Sequence, residues 1–226
     1  MLINIITRTH NRPNFFKKCL DSIKTQTYSN IHHIITYQVD SDLKYINLNK
    51  INNTTLVNVP NLKRDPNLYK HENNREYYHA PYNTFMNKAL KNIKEGWVVV
   101  LDDDDIFSSS NSLETLYNEI QKFDTNTNHI WRVRSTNIVI PDDFHFDYYS
   151  KGIYPDYPLQ PCQIAHMGMC YHSSNSKFVN YHPWSLGDYH AYSELEKHIP
   201  KRNMINQVLS QNQIGPGSGN TLDLPN

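Results

Sequence analysis

Five apolar residues, Trp97-Val98-Val99-Val100-Leu101, run without a break into four carboxylates, Asp102-Asp103-Asp104-Asp105. A strand with no polar alternation is buried on both faces, which is the mark of a parallel sheet covered by helices on either side. Four adjacent like charges repel one another, so the turn that follows this strand calls for something positive beside it. In an open parallel sheet the loops at the carboxyl ends of the strands form the ligand crevice, which aims Asp102 and Asp104 at whatever binds. Hard oxygen donors of this kind suit Mg²⁺ or Mn²⁺, which in turn holds a diphosphate. Two plainer readings stand beside this one: a solvated acidic turn, or an N-cap for the next helix, which needs only one of the four. Asp105 is the member read as structural.

The flanking sequence supports a helix-covered sheet. Leu2 to Thr7 is short and β-branched and leads into the polar cluster Arg8 to Asn14. From Asn14 to Thr27 the residues Phe15, Phe16, Cys19, Leu20 and Ile23 recur at helical spacing, with Pro13 near the helix start. Ile31–Val39 and Asn53–Val59 read as the second and third strands, and residues 61–81 as a long polar loop across the mouth of the sheet. Tyr82 to Ile93 reads as a helix stopped by Gly96 before the apolar strand. Ser112–Phe123 reads as an amphipathic helix and His129–Ile140 as a strand. Strand, helix, strand with turn residues between them is the signature of right-handed parallel α/β units. Beyond residue 141 the chain turns to aromatic residues, Pro and His with no clean repeat. Ile164–Tyr171 reads as a further strand, residues 192–210 as helical apart from Pro200, and residues 214–226 as a flexible tail or flap.

Composition narrows the function. Twenty-two basic residues balance 22 acidic ones, which removes the electrostatic surplus expected of a nucleic-acid partner. No stretch approaches the roughly 20 apolar residues needed to span a bilayer, and the apolar start turns polar at Asn4. The expectation is a soluble, cytoplasmic protein with no transmembrane segment. Cys19, Cys162 and Cys170 lack CxxC spacing and are read as reduced. No GxSxG, P-loop lysine motif or GxGxxG follows the first strand.

The segments Thr7-Arg8-Thr9-His10-Asn11-Arg12-Pro13, Cys19-Leu20-Asp21-Ser22-Ile23 and Gln26-Thr27-Tyr28, followed by Asn87-Lys88-Ala89-Leu90, Gly96 and Leu101 to Asp105, come in an order and spacing that resemble nucleotide-sugar glycosyltransferases of the GT-A fold, family-2 type. The resemblance covers residues 2–107. It implies an α/β fold of Rossmann-like type, a mostly parallel sheet flanked by helices with a smaller irregular acceptor-side region. The division it implies is a single domain over 1–213, with a nucleotide-sugar-binding half at 1–107 and an acceptor half at 108–213.

Carried over by position, the resemblance places Thr7, Arg8, Thr9 and Arg12 at the donor, and Asp40 at the end of the second strand on a base imide or ribose. Arg75 falls where such enzymes keep an arginine for the nucleotide, although a surface salt bridge explains it equally well. Asp102 would meet the ribose or the metal, Asp103 the ribose, and Asp104 the metal, Mn²⁺ or Mg²⁺. The family's inverting members place a general base in an E-D or G-D motif on the acceptor side. Trp184-Ser185-Leu186-Gly187-Asp188-Tyr189 is similar to it and nominates Asp188, whose plainer role is a helix N-cap. His190 is the histidine nominated to complete the metal shell, out of a group that also holds His166, His172 and His182. Tyr154, Tyr157, Trp184 and Tyr189 offer a stacking floor for a sugar, with ordinary core packing as the alternative for each.

The reading that results is a metal-dependent, inverting transferase moving sugar from a nucleotide-sugar donor, UDP-linked in the first instance, to a glycan or glycoconjugate hydroxyl. Its rivals are a non-catalytic nucleotide- or glycan-binding module of the same fold, and a nucleotidyltransferase. The latter is expected to carry a glycine-rich basic loop after the first strand, and Thr7 to Pro13 contains no glycine.

Overall fold

The computed structural model describes residues 1–59, 63–72 and 75–214. The expected flexible tail, apart from Ile214, lies outside the described residues. The first half folds as β1 (Ile3–Thr9), α1 (Pro13–Lys24), β2 (Ile31–Tyr37), α2 (Asp40–Asn49), β3 (Thr54–Asn58), a hairpin of β4 (Tyr69–Glu72) and β5 (Arg75–Tyr78), a 3-10 turn at Pro81–Thr84 running into α3 (Phe85–Leu90), β6 (Trp97–Val100) and β7 (Asp105–Phe107). The second half adds α4 (Ser112–Ile120), β8 (Asn128–Ser135), β9 (Ile138–Ile140), α5 (Asp143–Lys151), β10 (Met169–His172), α6 (Gly187–His198) and β11 (Arg202–Asn212).

One mixed sheet runs in the order β3-β2-β1-β6-β10-β8-β11-β7, with β9 folded back on β8. Its first four strands are parallel throughout. Beyond β6 the directions are mixed: β10 is antiparallel to both β6 and β8, β11 is parallel to β8, and β7 is antiparallel to β11. The mostly parallel sheet expected from the sequence therefore describes the first half, and the second half is mixed.

The apolar run explains the layering. Trp97, Val99 and Leu101 point into a core shared with Cys19 and Ile23 of α1 and Leu113, Leu116 and Ile120 of α4. Val98 and Val100 point the other way, against Met86 and Ala89 of α3 and Ala191, Tyr192 and Leu195 of α6. Successive side chains alternate between faces, so a strand sandwiched between two helical layers must be apolar at every position. Gly96 precedes it with φ +91, and a β-carbon there would lie 2.5 Å from the Leu2 carbonyl, which accepts from Trp97 N at 2.9 Å. Glycine is required at this turn on both counts.

Several sequence expectations are corrected here. The segment after β2 forms α2, whose only buried side chains are Asp42 and Ile46; so weak an apolar stripe gives no periodic signal. Residues 61–81 contain the β4–β5 hairpin. His129–Ile140 is two strands, broken by Thr136 at φ +52. The expected helix over 192–210 ends at His198, before Pro200, and the remainder is β11, an 11-residue strand with two register shifts against β8. Ile164–Tyr171 divides into a 3-10 turn at His166–Gly168 and the strand β10.

Candidate active site

The carboxyl end of β1 lies beside that of β6, the two strands paired Ile6 to Val100. Thr7 Oγ1 donates to the Leu101 carbonyl at 2.7 Å and lies 2.9 Å from His33 Nε2. Thr7 is wholly buried, and its hydroxyl ties neighbouring strands together under the site. Among the described residues His33 Nδ1 has no hydrogen-bond partner, and burial pushes the ring's pKa down to about 3, so it is a neutral imidazole inside the sheet.

Arg8 then reaches across to Asp102. Its Nε donates to Oδ1 at 2.7 Å and its Nη2 to Oδ2, a two-pronged guanidinium–carboxylate pair. Burial works against both charges, and the pairing outweighs it: Arg8 is pushed above its ordinary pKa, and Arg8 with His166 holds Asp102 well below the usual carboxylate range. His166 Nδ1 stands 3.4 Å from Asp102 Oδ2.

Asp103 is held by Thr9 Oγ1 at 2.8 Å and Arg12 Nη1 at 2.9 Å, and the same Arg12 nitrogen lies 3.2 Å from Asp104 Oδ2. Burial, opposed by Arg12 and reinforced by the neighbouring Asp104, pushes the Asp103 pKa up to about 7. Asp105 points inward, accepts from Asn212 Nδ2 at 2.6 Å and is raised by burial and by its acidic neighbours, as befits the structural member of the run. Arg12 is aimed by its loop: Asn11 takes φ +53, a conformation that asparagine tolerates, and its backbone amide donates to Asp42 Oδ1 at 2.9 Å. Gln213, just past β11, closes the turn from below, its Nε2 on the Asp103 carbonyl at 2.9 Å and its amide on the Asp104 carbonyl at 2.7 Å. The positive groups that four aspartates call for are thus two arginines, Arg8 near the end of β1 and Arg12 in the loop before α1.

Asp40 lies exposed in the first turn of α2. The carboxylate that organises this corner is Asp42, which accepts from the Gln38 and Val39 amides and from Tyr45 as well as from Asn11.

The opposite wall of the site comes from residues 166–192. His166 Nε2 is 3.1 Å from Tyr181 Oη, and Tyr192 Oη donates to the His166 carbonyl at 2.9 Å. Burial raises both phenols far above their ordinary pKa, and each also lies within the field of Asp188. Asp188 lies in the first turn of α6 and is half-buried. Asn83 bridges the walls directly, accepting from Arg8 Nη1 at 3.1 Å and donating to the Trp184 carbonyl at 2.6 Å. Asn87 fixes the segment behind it by exchanging two hydrogen bonds with the Tyr181 backbone, at 2.8 and 2.9 Å. At Gly187 a β-carbon would lie 2.6 Å from Asn83 Nδ2 and 2.9 Å from the His182 carbonyl, which explains a glycine where the family pattern commonly has glutamate.

His190 has its ring against Tyr77, Tyr189 and His182. The histidine beside Asp102 is His166, which no sequence spacing connected to the aspartates. Arg75 lies on β5 and lines a cavity with Tyr77 and His190. Among the described residues no group of three or more His, Cys, Asp or Glu side chains is arranged to hold a metal ion. The donor chemistry nonetheless fits a hard cation at Asp104: magnesium commonly takes one or two carboxylates and completes its shell with phosphate oxygens and water.

The family model for glycosyl transferase family 2 matches residues 4–178, which include the β1–β6 wall of this site and His166, but not Tyr181, Asp188 or Tyr192. The chain belongs to glycosyltransferase family 2. Solved structures agree on the fold. S. aureus TarS 1-349 in complex with UDP-GlcNAc aligns with a TM-score of 0.67 at 13% identity, over 96% of this chain and 60% of that one. The complex of the same fragment with UDP aligns with 0.66 at 12%, over 96% and 61%. Against the longer TarS chain the family-2 domain covers 37% of the length at a TM-score of 0.67. The chain thus spans about 60% of the TarS 1-349 fragments it matches. No curated protein matches the sequence. No helix among the described residues is long and apolar enough to cross a membrane.

Proposed function

We propose that this family-2 domain transfers a sugar from a nucleotide-sugar donor to a hydroxyl of a glycan or glycoconjugate, with inversion at the anomeric carbon. The observation that carries the reading is the pairing of Arg8 and Arg12 with Asp102, Asp103 and Asp104 at the carboxyl ends of β1 and β6, with Asn83 and His166 joining this wall to the 166–192 segment. A diphosphate leaving group needs cationic surroundings. Arg8 and Arg12 supply fixed, permanently charged donors there, and fixed charge in a partly dry site stabilises charge that develops during the reaction. UDP is the favoured nucleotide, since the TarS fragment of the same fold is seen with UDP and UDP-GlcNAc.

Asp104 is the residue that would hold a divalent cation, Mn²⁺ or Mg²⁺, which when bound supplies Lewis-acid stabilisation of the departing diphosphate. Asp102, with both oxygens accepting from Arg8, serves to orient that arginine, and Asp103 presents a carboxyl to the ribose. Asp188 accepts the proton of the attacking acceptor hydroxyl as the new bond forms on the face opposite the diphosphate, a role worth about 10²–10⁴ in rate. Tyr181 and Tyr192 keep the Asp188 side of the cleft uncharged and polar. A ligand that binds only the folded state raises apparent stability by about 2.7 kcal/mol at one hundred times its dissociation constant. Thermal unfolding with UDP, GDP or dTDP and their sugar conjugates, each with Mn²⁺ and with EDTA, tests the reading. A metal-enhanced rise with UDP and UDP-sugars is expected; no rise with any nucleotide would leave the glycan-binding module as the better reading.

A further inference from the structure

A second concavity opens beside α6. It has a volume of about 540 Å³ and lies between the β4–β5 hairpin, the 154–161 segment and α6, within the range of about 300–1,000 Å³ that small-ligand sites occupy. None of the four aspartates lines it. Its wall is aromatic, from Tyr77, Tyr154, Tyr189 and His190, and carries polar edges from Arg75 and Lys197. The acidic members are already engaged: Glu196 is paired with Arg202 and accepts from the Leu159 amide at 2.9 Å, and Glu194 is paired with Lys197. The hairpin wall is fixed in place, with the Ser185 amide donating to the Tyr78 carbonyl at 2.9 Å and the Ala80 amide to the Pro183 carbonyl at 2.9 Å.

Aromatic faces with hydroxyl, guanidinium and ammonium edges match a sugar ring, whose C–H side is apolar and whose rim is all hydroxyl. Position adds to the chemistry. Asp188 does not line the cavity, but it lies at the start of α6, the helix that supplies Tyr189, His190 and Lys197 to the wall, so the cavity sits beside the helix that carries that carboxylate. We propose that this cavity binds a sugar residue of the acceptor glycan, with Tyr154 and Tyr189 as the stacking surface and Arg75 and Lys197 as hydroxyl-binding groups. The proposal rests on the transferase reading, and it moves Arg75 from the donor to the acceptor.

The test titrates N-acetylglucosamine, chitobiose, lactose, maltotriose and mannotriose into the protein by saturation-transfer NMR, with UDP plus Mn²⁺ titrated in parallel by calorimetry. At least one saccharide is expected to bind, to lose tenfold or more in affinity in the Tyr154→Ala, Tyr189→Ala double variant, and to keep its affinity within threefold in Tyr154→Phe, where the ring remains. UDP affinity stays within twofold in both variants. Tyr154→Ala alone carries the same reading should the double variant fail to fold. The proposal is overturned if none of the five saccharides binds, or if binding is the same in the alanine variants. Absence of UDP binding to the wild type, with saccharide binding present and lost on substitution, would instead remove the transferase reading and leave the cavity as a glycan site.

Discussion

The two walls of the cleft are built from different materials. The wall at β1 and β6 is held by charge: Arg8 at the end of β1 and Arg12 in the loop after it, against three aspartates of the turn after β6. The wall at α6 is held by neutral groups, with Asn87 on the Tyr181 backbone, His166 between two tyrosines, and Asn83 on the Trp184 carbonyl. Charge needs exact residue types at exact places, because an unpaired buried ion costs several kcal/mol. Neutral packing accepts many substitutes. A charged wall suits a constant partner such as a diphosphate, and a packed wall suits an acceptor that differs from one enzyme to the next.

The contrast predicts unequal costs. Arg8→Ala leaves Asp102 without its guanidinium and should destabilise the fold by about 3–5 kcal/mol. Asn87→Ala leaves one amide and one carbonyl of Tyr181 unsatisfied and should cost about 1–3 kcal/mol. Urea unfolding of the two variants side by side reads the difference; an equal or reversed order would break the distinction between the walls.

A second expectation concerns acid. His33 under the first wall is neutral when folded, with a pKa near 3, against an ordinary value of 6.5 in the unfolded chain. The unfolded state therefore binds more protons between these values, so the stability owed to neutral His33 is complete above about pH 6.5 and falls as the pH drops toward 3. Between pH 7 and 4 the loss is on the order of 3 kcal/mol. His129 on β8, pushed down to about 4 by burial, adds a smaller loss of the same sign. His33→Gln should flatten the stability profile over this range more than His129→Gln, measured by chemical unfolding at each pH.

The smallest effect sharpens the account of the second wall. Restoring the family's commoner residue with Gly187→Glu forces a β-carbon against Asn83 and the His182 carbonyl, and overpacking of this kind costs about 1–3 kcal/mol. A neutral or stabilising outcome would show that the α6 entrance is looser than its contacts indicate.

The same contrast decides what could be read from the sequence. The buried strand, the aspartate turn and the Arg8–Arg12 loop are contiguous motifs, so residue type and order carried them. His166 reaches Asp102 because β10 pairs with β6, Cys170 opposite Val99, and no spacing along the chain encodes that pairing. Tyr181, Asn83 and Gln213 are legible only as ordinary polar or aromatic residues until the chain is folded. The strand β11 was hidden because Ile205 and Leu209 stand four residues apart, the helical interval, whereas its conformation is set by its neighbours β8 and β7. Asp42 and His166, rather than Asp40 and His190, make the hydrogen bonds that tie the first wall together, and nothing in the order of residues along the chain distinguishes one of each pair from the other.

The central claim is that the aspartate wall binds the donor and Asp188 serves the acceptor. Calorimetric titration of UDP into Asp104→Ala and Asp188→Asn, with Mn²⁺ and with EDTA, alongside the rate of UDP release from UDP-GlcNAc with acceptor present, separates the two. The account predicts that Asp104→Ala loses Mn²⁺-dependent UDP binding, and that Asp188→Asn binds UDP within twofold of wild type while release falls by about 10²–10⁴. Unchanged UDP binding in Asp104→Ala, or full activity in Asp188→Asn, would contradict it.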